Sequence, residues 1–340
     1  MRCPSKTMRF LAPWLLPVLL LAGCSSDPDD DPAVQGPPAP QEEQSEPSEP
    51  QVEPLTGVEA PTGESVDRDH AVLVVKMDNT YSSSPQAGLS EADLVVEELV
   101  EGGLTRLAAF YYSQTPAVVG PVRSMRASDI GIVSPVDASV VTSGAAAATI
   151  RRIQVAKIRF YGEGSRGVYR EASRAAPYNV FTNLSTIAQQ ATNSEGRPAD
   201  YLPWGAKADF SGVRRARAFD VSFGSGRTSQ WRYVDDGYVN VNSYAAPDDQ
   251  FPADTVLVLK VEVGDAGYRD PAGNPVPETR LEGSGPAMLF HAGKMTRGTW
   301  QKDGLDATLT LATADGPLLV PAGKVWVELI PQTTGRVTFR

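Results

Sequence analysis

SEADLVVEELVEGGLTRLAAFYY, residues 90–112, decides whether the body of this chain is built on helices or on a sheet. Its first half has two readings. Ser90 and the acids around it suit a helix start, while the Leu94-Val95-Val96 run suits a strand equally well. The second half, LTRLAAFYY at 104–112, alternates as a strand does, and the Gly102-Gly103 pair between the halves favours a hairpin.

Working outward, AVLVVKMDN (71–79) has the composition of a buried strand that ends in polar residues. VRSMRASDIGIVSP (122–135) spaces its apolar residues near the helical period and has Pro121 at a first-turn position. DASVVTSG (137–144) reads as a strand and AAAATIRRIQ (145–154) as a helix. Strands alternating with helices predict an α/β N-terminal domain, a mixed sheet flanked by helices, over residues 67–215. From 216 to 340 the character changes. WRYVDDGYVNV (231–241) carries a hairpin around Asp236-Gly237, and the runs 254–263, 287–293, 296–302, 307–312 and 324–330 are separated by Asp-Gly and Pro-Ala-Gly turns. That spacing predicts a smaller β-rich C-terminal domain, with the Arg-rich 209–220 segment joining the two.

Residues 1–24 read as a signal peptide: Arg2, Lys6 and Arg9 precede an apolar run from Phe10 to Leu21, closed by LAGC. The run is short for a membrane span. LAGC resembles the bacterial lipobox, which implies that Cys24 becomes the lipid-modified, palmitate-bearing first residue of the mature chain. The only other cysteine, Cys3, lies in the removed peptide, so no internal disulfide is expected. Residues 25–66 hold 11 acids, 9 prolines and no Lys or Arg, which predicts a disordered acidic tether. The expected location is the outer face of the cytoplasmic membrane.

The tether accounts for the charge. The whole chain is −10, but residues 67–340 hold 28 Lys plus Arg against 30 Asp plus Glu. Within the body, residues 104–217 carry 15 cations, 13 of them Arg, against 7 acids. Arginine suits bidentate capture of phosphate or carboxylate. An exported protein with few aromatics among these arginines is a poor candidate for nucleic acid.

Familiar catalytic patterns are missing. His70 and His291 are the only histidines and fall in different domains, against a His-based triad or metal site. There is no phosphate loop or CxxC, and Ser143 lacks a nucleophile-elbow context and reads as a helix cap. What remains is a set of acids and arginines. Asp78 and Asn79 close the first strand, Asp93 lies in SEAD, Glu97, Glu98 and Glu101 follow, and Arg106 sits on the next strand. Arg123 and Arg126, three apart at an expected helix start, would form an anion site with the free N–H groups there. The alternative is that they pair with Asp129 and the glutamates.

KMDN (76–79), PQAGLSEADLVVEELVEGGLTRLAAFY (85–111), VGPVRSMR (119–126), RAAPYN (174–179), GTWQK (298–302) and DGPLLVPAGKVWVELIP (315–331) resemble the YerB-like bacterial lipoproteins, a domain-of-unknown-function family. The resemblance implies a two-domain lipoprotein and supplies no reaction. Tyr178 departs from it, standing where the family has His. The layout of strand-end Asp, acidic segment and Pro-x-Arg is also similar to the LytR-CpsA-Psr phosphotransferases. That analogy would make Asp78 and Asp93 ligands of Mg²⁺, and set Arg106, Arg123 and Arg126 on a polyprenyl pyrophosphate.

Three readings follow. The first is an envelope-associated binding or accessory module that recognises an anionic, phosphate-bearing cell-wall ligand through Asn79, Arg106, Arg123 and Arg126. The second is a metal-assisted phosphotransferase acting on polyprenyl-pyrophosphate-linked glycopolymers, a chemistry that asks the protein chiefly for positioning and charge. The third is a protein–protein scaffold at the membrane surface, with Trp300 and Trp326 as anchors. The lack of a His base and nucleophile favours binding over hydrolysis.

Overall fold

The computed structural model describes residues 51–61, 64–193 and 196–339, which lie in one compact unit spanning Glu49–Arg340. The expected signal peptide, Cys24 and the expected tether up to residue 50 lie outside the described residues. Largely apolar runs buried on both faces build β1 (Leu73–Asp78), β2 (Leu94–Leu99) and β3 (Thr105–Tyr111), with β3 antiparallel to both neighbours. The 90–112 stretch is therefore a hairpin, and its Gly102 and Gly103 adopt φ of 70° and 74° at the turn.

After β3 come α1 (Asp129–Val133), β4 (Ser139–Val141), α2 (Ala147–Val155) and β5 (Phe160–Tyr161), with β4 parallel to β1 and β5 parallel to β4. On the far side of β2 lies Val325–Pro331, parallel to it and also parallel to Thr255–Arg269. Gly283–His291, Lys294–Lys302 and Thr310–Thr313 extend the sheet by antiparallel pairing. Strands from both halves of the chain thus share one 13-stranded mixed sheet. A second, four-stranded sheet contains the hairpin predicted at Asp236-Gly237, where Asp235 and Asp236 take φ of 47° and 68°, as a tight two-residue turn requires.

Alternation sends side chains to two cores. Val74, Val96, Leu257 and Leu329 meet α1 and α2 on one face; Val75, Val95, Trp326 and Phe290 meet the four-stranded sheet on the other. Trp300 and Trp326 are buried in these cores, which removes them as exposed anchors.

Three expectations differ from the structure. The N-terminal half is far less helical than an α/β reading implies: α1 has 5 residues and α2 has 9. The 122–135 helix reduces to α1, because Arg123 N–H donates to the Lys76 carbonyl (2.7 Å) and Met125 N–H to the Gly144 carbonyl (3.0 Å). Those bonds hold 122–125 as a strap across the strand ends, and the Asp129 carboxylate takes the Arg126 N–H at 2.7 Å. The C-terminal end of the predicted acidic tether is also ordered. Leu55 and Val66 are buried, Arg197 Nε donates to the Val52 carbonyl (2.9 Å), and Trp204 Nε1 donates to the Pro54 carbonyl (3.1 Å). Two apolar side chains with pockets to fill offset the entropy that the proline-rich composition suggested would win.

Each face also buries charge. On the α1 face, Lys76 Nζ lies 2.7 Å from both Glu98 and Asp129, all three fully buried. On the other face, Glu97 and Glu328 are register partners on β2 and Val325–Pro331, both without exposure. Glu97 accepts from Asn79 (2.9 Å), Thr105 (2.7 Å) and Ser229 (3.0 Å), while Arg227 Nε lies 3.5 Å away. Glu328 accepts from Trp231 Nε1 at 2.8 Å. Burial, then the charge of Glu97, pushes the Glu328 carboxyl well above its usual range and so favours its protonated form in the folded chain. A folded pKa raised above the unfolded value near 4.5 gives stability that is complete below that value and is lost as pH rises through the folded pKa. Glu328→Gln, which keeps a neutral side chain at any pH, is expected to flatten the alkaline fall of the urea midpoint. An unchanged alkaline slope in this variant would refute the assignment.

Candidate functional site

Asp78, Glu98, Glu101, Arg106, Arg123 and Arg126 gather at the edge where β1 and β4 end. Asp78 closes β1 and is the register partner of Arg106 on β3. The 122–126 strap lays Arg123 and Arg126 over these strand ends, so a backbone ladder and not a helix sets their spacing.

Each arginine has a carboxylate. Arg123 Nε lies 2.9 Å from Asp78 Oδ2, and its guanidinium stands over the Tyr178 ring at 5.4 Å. Arg126 grips Glu101 through both Nε (3.0 Å) and a terminal nitrogen. Arg106 shares Glu101 (3.2 Å) and donates to the Ser124 carbonyl at 2.7 Å. Burial raises the Glu101 carboxyl, but the Arg126 bond and the two guanidinium charges outweigh it, so the net shift is downward. Burial and the neighbouring Arg126 charge bring the Arg106 pKa down to about 10. Arg106 is 5% exposed and Arg126 7%, whereas the Arg123 side chain keeps 22%. Counting the Lys76–Glu98–Asp129 triad beside them, four cations face four carboxylates.

Of the predicted anion ligands, Arg106, Arg123 and Arg126 are together and Asn79 is not. Asn79 Nδ2 reaches Glu97 and Thr105, in the network on the opposite face of the sheet. The two predicted metal acids are also apart. β1 and β2 are both antiparallel to β3, hence parallel to one another, and Asp78 ends one while Asp93 precedes the other. Asp93 therefore sits at the other end of the sheet, accepting from Tyr112 N–H (2.6 Å) and Ser113 N–H (2.9 Å). Among the described residues no group of three His, Cys, Asp or Glu is placed to hold a metal ion.

Ser143 is not the cap of α2. Ala146 occupies that position without a side-chain bond, and Ser143 Oγ lies 3.4 Å from Ser124 Oγ. His291 is structural, its Nδ1 2.9 Å from Thr255 Oγ1. Tyr178 forms the platform under Arg123, a role its deviation from the family motif did not reveal. Glu328 was also missed; a lone acid inside the apolar run VWVELIP was the available signal.

Fold and site together define a mostly β protein built on one mixed sheet, with an arginine cluster paired to carboxylates at its edge. The chain belongs to the family described as "Protein of unknown function (DUF3048)": the N-terminal domain of that family matches residues 55–197 and the C-terminal domain residues 219–327. It is similar to "Putative lipoprotein YerB" of Bacillus subtilis (strain 168), at 24% identity over 300 residues, 82% of this chain and 86% of the relative. The crystal structure of Bacillus subtilis YerB has the same fold: TM-score 0.69 at 20% identity, covering 85% of this chain and 99% of that one. Among the described residues no helix is long and apolar enough to cross a membrane.

Glu101→Gln removes the charge that holds Arg106 and Arg126 together. Hydrogen bonds to charged groups contribute roughly 1.5–3 kcal/mol, so a loss on the order of 2 kcal/mol is expected at pH 7 in urea unfolding. Because the folded Glu101 pKa is lowered from 4.5, its contribution is present above that value and fades as pH falls through the folded pKa. The gap between variant and parent should therefore close in acid. A gap independent of pH would count against the pairing.

Proposed function

We propose that the protein is a lipid-anchored binding module at the outer face of the cytoplasmic membrane, held by Cys24 and recognising a phosphate-bearing envelope polymer. The recognition surface consists of Arg123 and the basic segment 145–178 that follows it in the chain. The observation that carries this reading is the basic excess of that segment, seven Lys or Arg against two Glu, of which Arg152, Arg159 and Arg170 pair with Glu278, Asp137 and Glu163. Arg151, Lys157 and Arg166 are exposed and in no ion pair among the described residues. Arg123 joins them as the cluster member with solvent access, braced from below by Tyr178. Arg106 and Arg126 are committed to Glu101 and act as its support.

The phosphotransferase alternative loses its motivating pair, since Asp78 and Asp93 stand at opposite ends of the sheet and cannot share one Mg²⁺. A scaffold anchored on tryptophan loses Trp300 and Trp326 to the cores. Recognition through exposed cations instead predicts a salt-sensitive interaction, because surface charges are screened over about 10 Å at 0.1 M ionic strength.

The test is binding of residues 49–340 to immobilised poly(glycerol phosphate) at low and moderate salt. Binding is expected to weaken several-fold as salt rises, and at least tenfold in Arg123→Ala/Arg166→Ala. An Arg126→Ala variant should lose stability before affinity. No binding, or binding indifferent to Arg123 and Arg166, would overturn the proposal.

A further inference from the structure

The Arg-rich segment that joins the two halves takes no part in the arginine cluster. Arg214–Arg215 form a short outer strand against Lys294–Lys302, with Arg214 opposite Met295 and Arg215 opposite Lys294. Directly opposed side chains on antiparallel neighbours have Cβ atoms roughly 5 Å apart, and like charges in that position repel. Both members of the Arg215–Lys294 pair are exposed, and neither has a carboxylate partner among the described residues. Arg297, on the same strand as Lys294, is a further exposed cation without one. A fold that accepts this repulsion is suited to an anion supplied from outside.

Apolar groups accompany the charge. Val213, 84% exposed, immediately precedes Arg214, and Leu319 is 43% exposed. With Phe210 and Arg297 they line an open hollow of about 620 Å³. Asp209 and Asp315 line it as well, two acids against the four cations Arg214, Arg215, Lys294 and Arg297, so the face stays basic. A neighbouring hollow shares Ala206 with it and is lined by Val52, Gly57 and Val58, where the chain from Cys24 joins the body. Gly323 N–H donates to the Thr56 carbonyl at 2.7 Å and fixes that junction beside the start of Val325–Pro331.

The ladder register says where this face lies. Lys294 pairs with His291, His291 with Thr255, Thr255 with Val325 and Val325 with Leu94, so the basic edge is level with the start of β2. Asp78, which holds Arg123, is level with Glu98 at the other end of β2, and β1 lies six strands away in the sheet. At about 4.8 Å per strand the two places stand roughly 30 Å apart. We infer that the 213–215 edge, with Lys294, Arg297 and Leu319, docks on the anionic lipid surface that carries the Cys24 anchor. Val213 and Leu319 enter the headgroup layer, and the four cations lie against lipid phosphates. Residues 25–50 reach at most about 90 Å, so the anchor keeps this face at a high local concentration near the bilayer and a weak attraction suffices. Docking in this pose turns Arg123 away from the membrane, toward the envelope polymer.

The inference takes the Cys24 anchor from the proposal above, and the two fail separately because residues 49–340 lack Cys24. Co-sedimentation of residues 49–340 with vesicles of equimolar phosphatidylglycerol and phosphatidylcholine at low salt is the test. Partitioning is expected to be at least tenfold weaker on pure phosphatidylcholine, and at least fivefold weaker in Val213→Asp/Leu319→Asp and in Arg215→Glu. Arg215→Glu sets opposite charges across the two strands, so its melting temperature should equal or exceed the parent's while vesicle binding falls; a packing role would lower both. Arg123→Ala/Arg166→Ala should bind vesicles as the parent does, and Arg215→Glu should keep the parent's affinity for poly(glycerol phosphate). No binding to the anionic vesicles, equal binding to neutral ones, or binding lost with Arg123 and Arg166 but kept in Arg215→Glu would overturn the inference. So would a dimer that Arg215→Glu dissociates with vesicle binding unchanged, a result that gives the face to a second copy of the chain.

Discussion

The pairing of Val325–Pro331 between β2 and Thr255–Arg269 is the constraint on which the rest of the structure depends. This one late strand turns two half-sheets into one. Its parallel register with β2 places Glu328 beside Glu97, Val327 beside Val96 and Trp326 beside Val95, so every residue of the strand faces a core that includes side chains from the other half. A parallel ladder must be buried on both faces, and here α1 and α2 cover one face and the four-stranded sheet the other. Slipping the register by one residue would exchange the faces of Glu328 and Val327 and strand a carboxyl among aliphatics.

Buried charge follows from the same constraint. Lys76, Glu98 and Asp129 satisfy one another on the α1 face, and Arg106 and Arg126 settle on Glu101 at its edge. Burying ions is costly unless they are paired and hydrogen-bonded, and the pairing consumes charges that a motif reading would assign to a ligand. Solvent access then sets the members of the cluster apart: the Arg123 side chain keeps 22% of its surface exposed, while Arg106 and Arg126 are buried.

Local strand patterns were legible: the 90–112 hairpin, the Asp236-Gly237 turn and the C-terminal strands lie close to where alternation and turn chemistry put them. The 122–135 segment was not, because a near-helical spacing of apolar residues also arises in a strap whose N–H groups are taken by strand-end carbonyls. The arginines were legible as a group, since Arg106, Arg123 and Arg126 do meet. Asn79 and Asp93 misled, because nearness in sequence to a strand end does not say which face a side chain takes or which end of the sheet it occupies. The polar network around Glu97 joins residues from 79 to 328, and no local pattern announces such a contact.

The central claim is that the two halves of the chain are one cooperative sheet joined at β2 and Val325–Pro331. Native-state hydrogen exchange of residues 49–340 over a denaturant series tests it most directly. Amides of β2, β3 and Val325–Pro331 should open together, with the opening free energy of the whole unit. If the β1–β3 amides stayed protected under conditions where those of Val325–Pro331 exchange, the halves would be independent and the account contradicted.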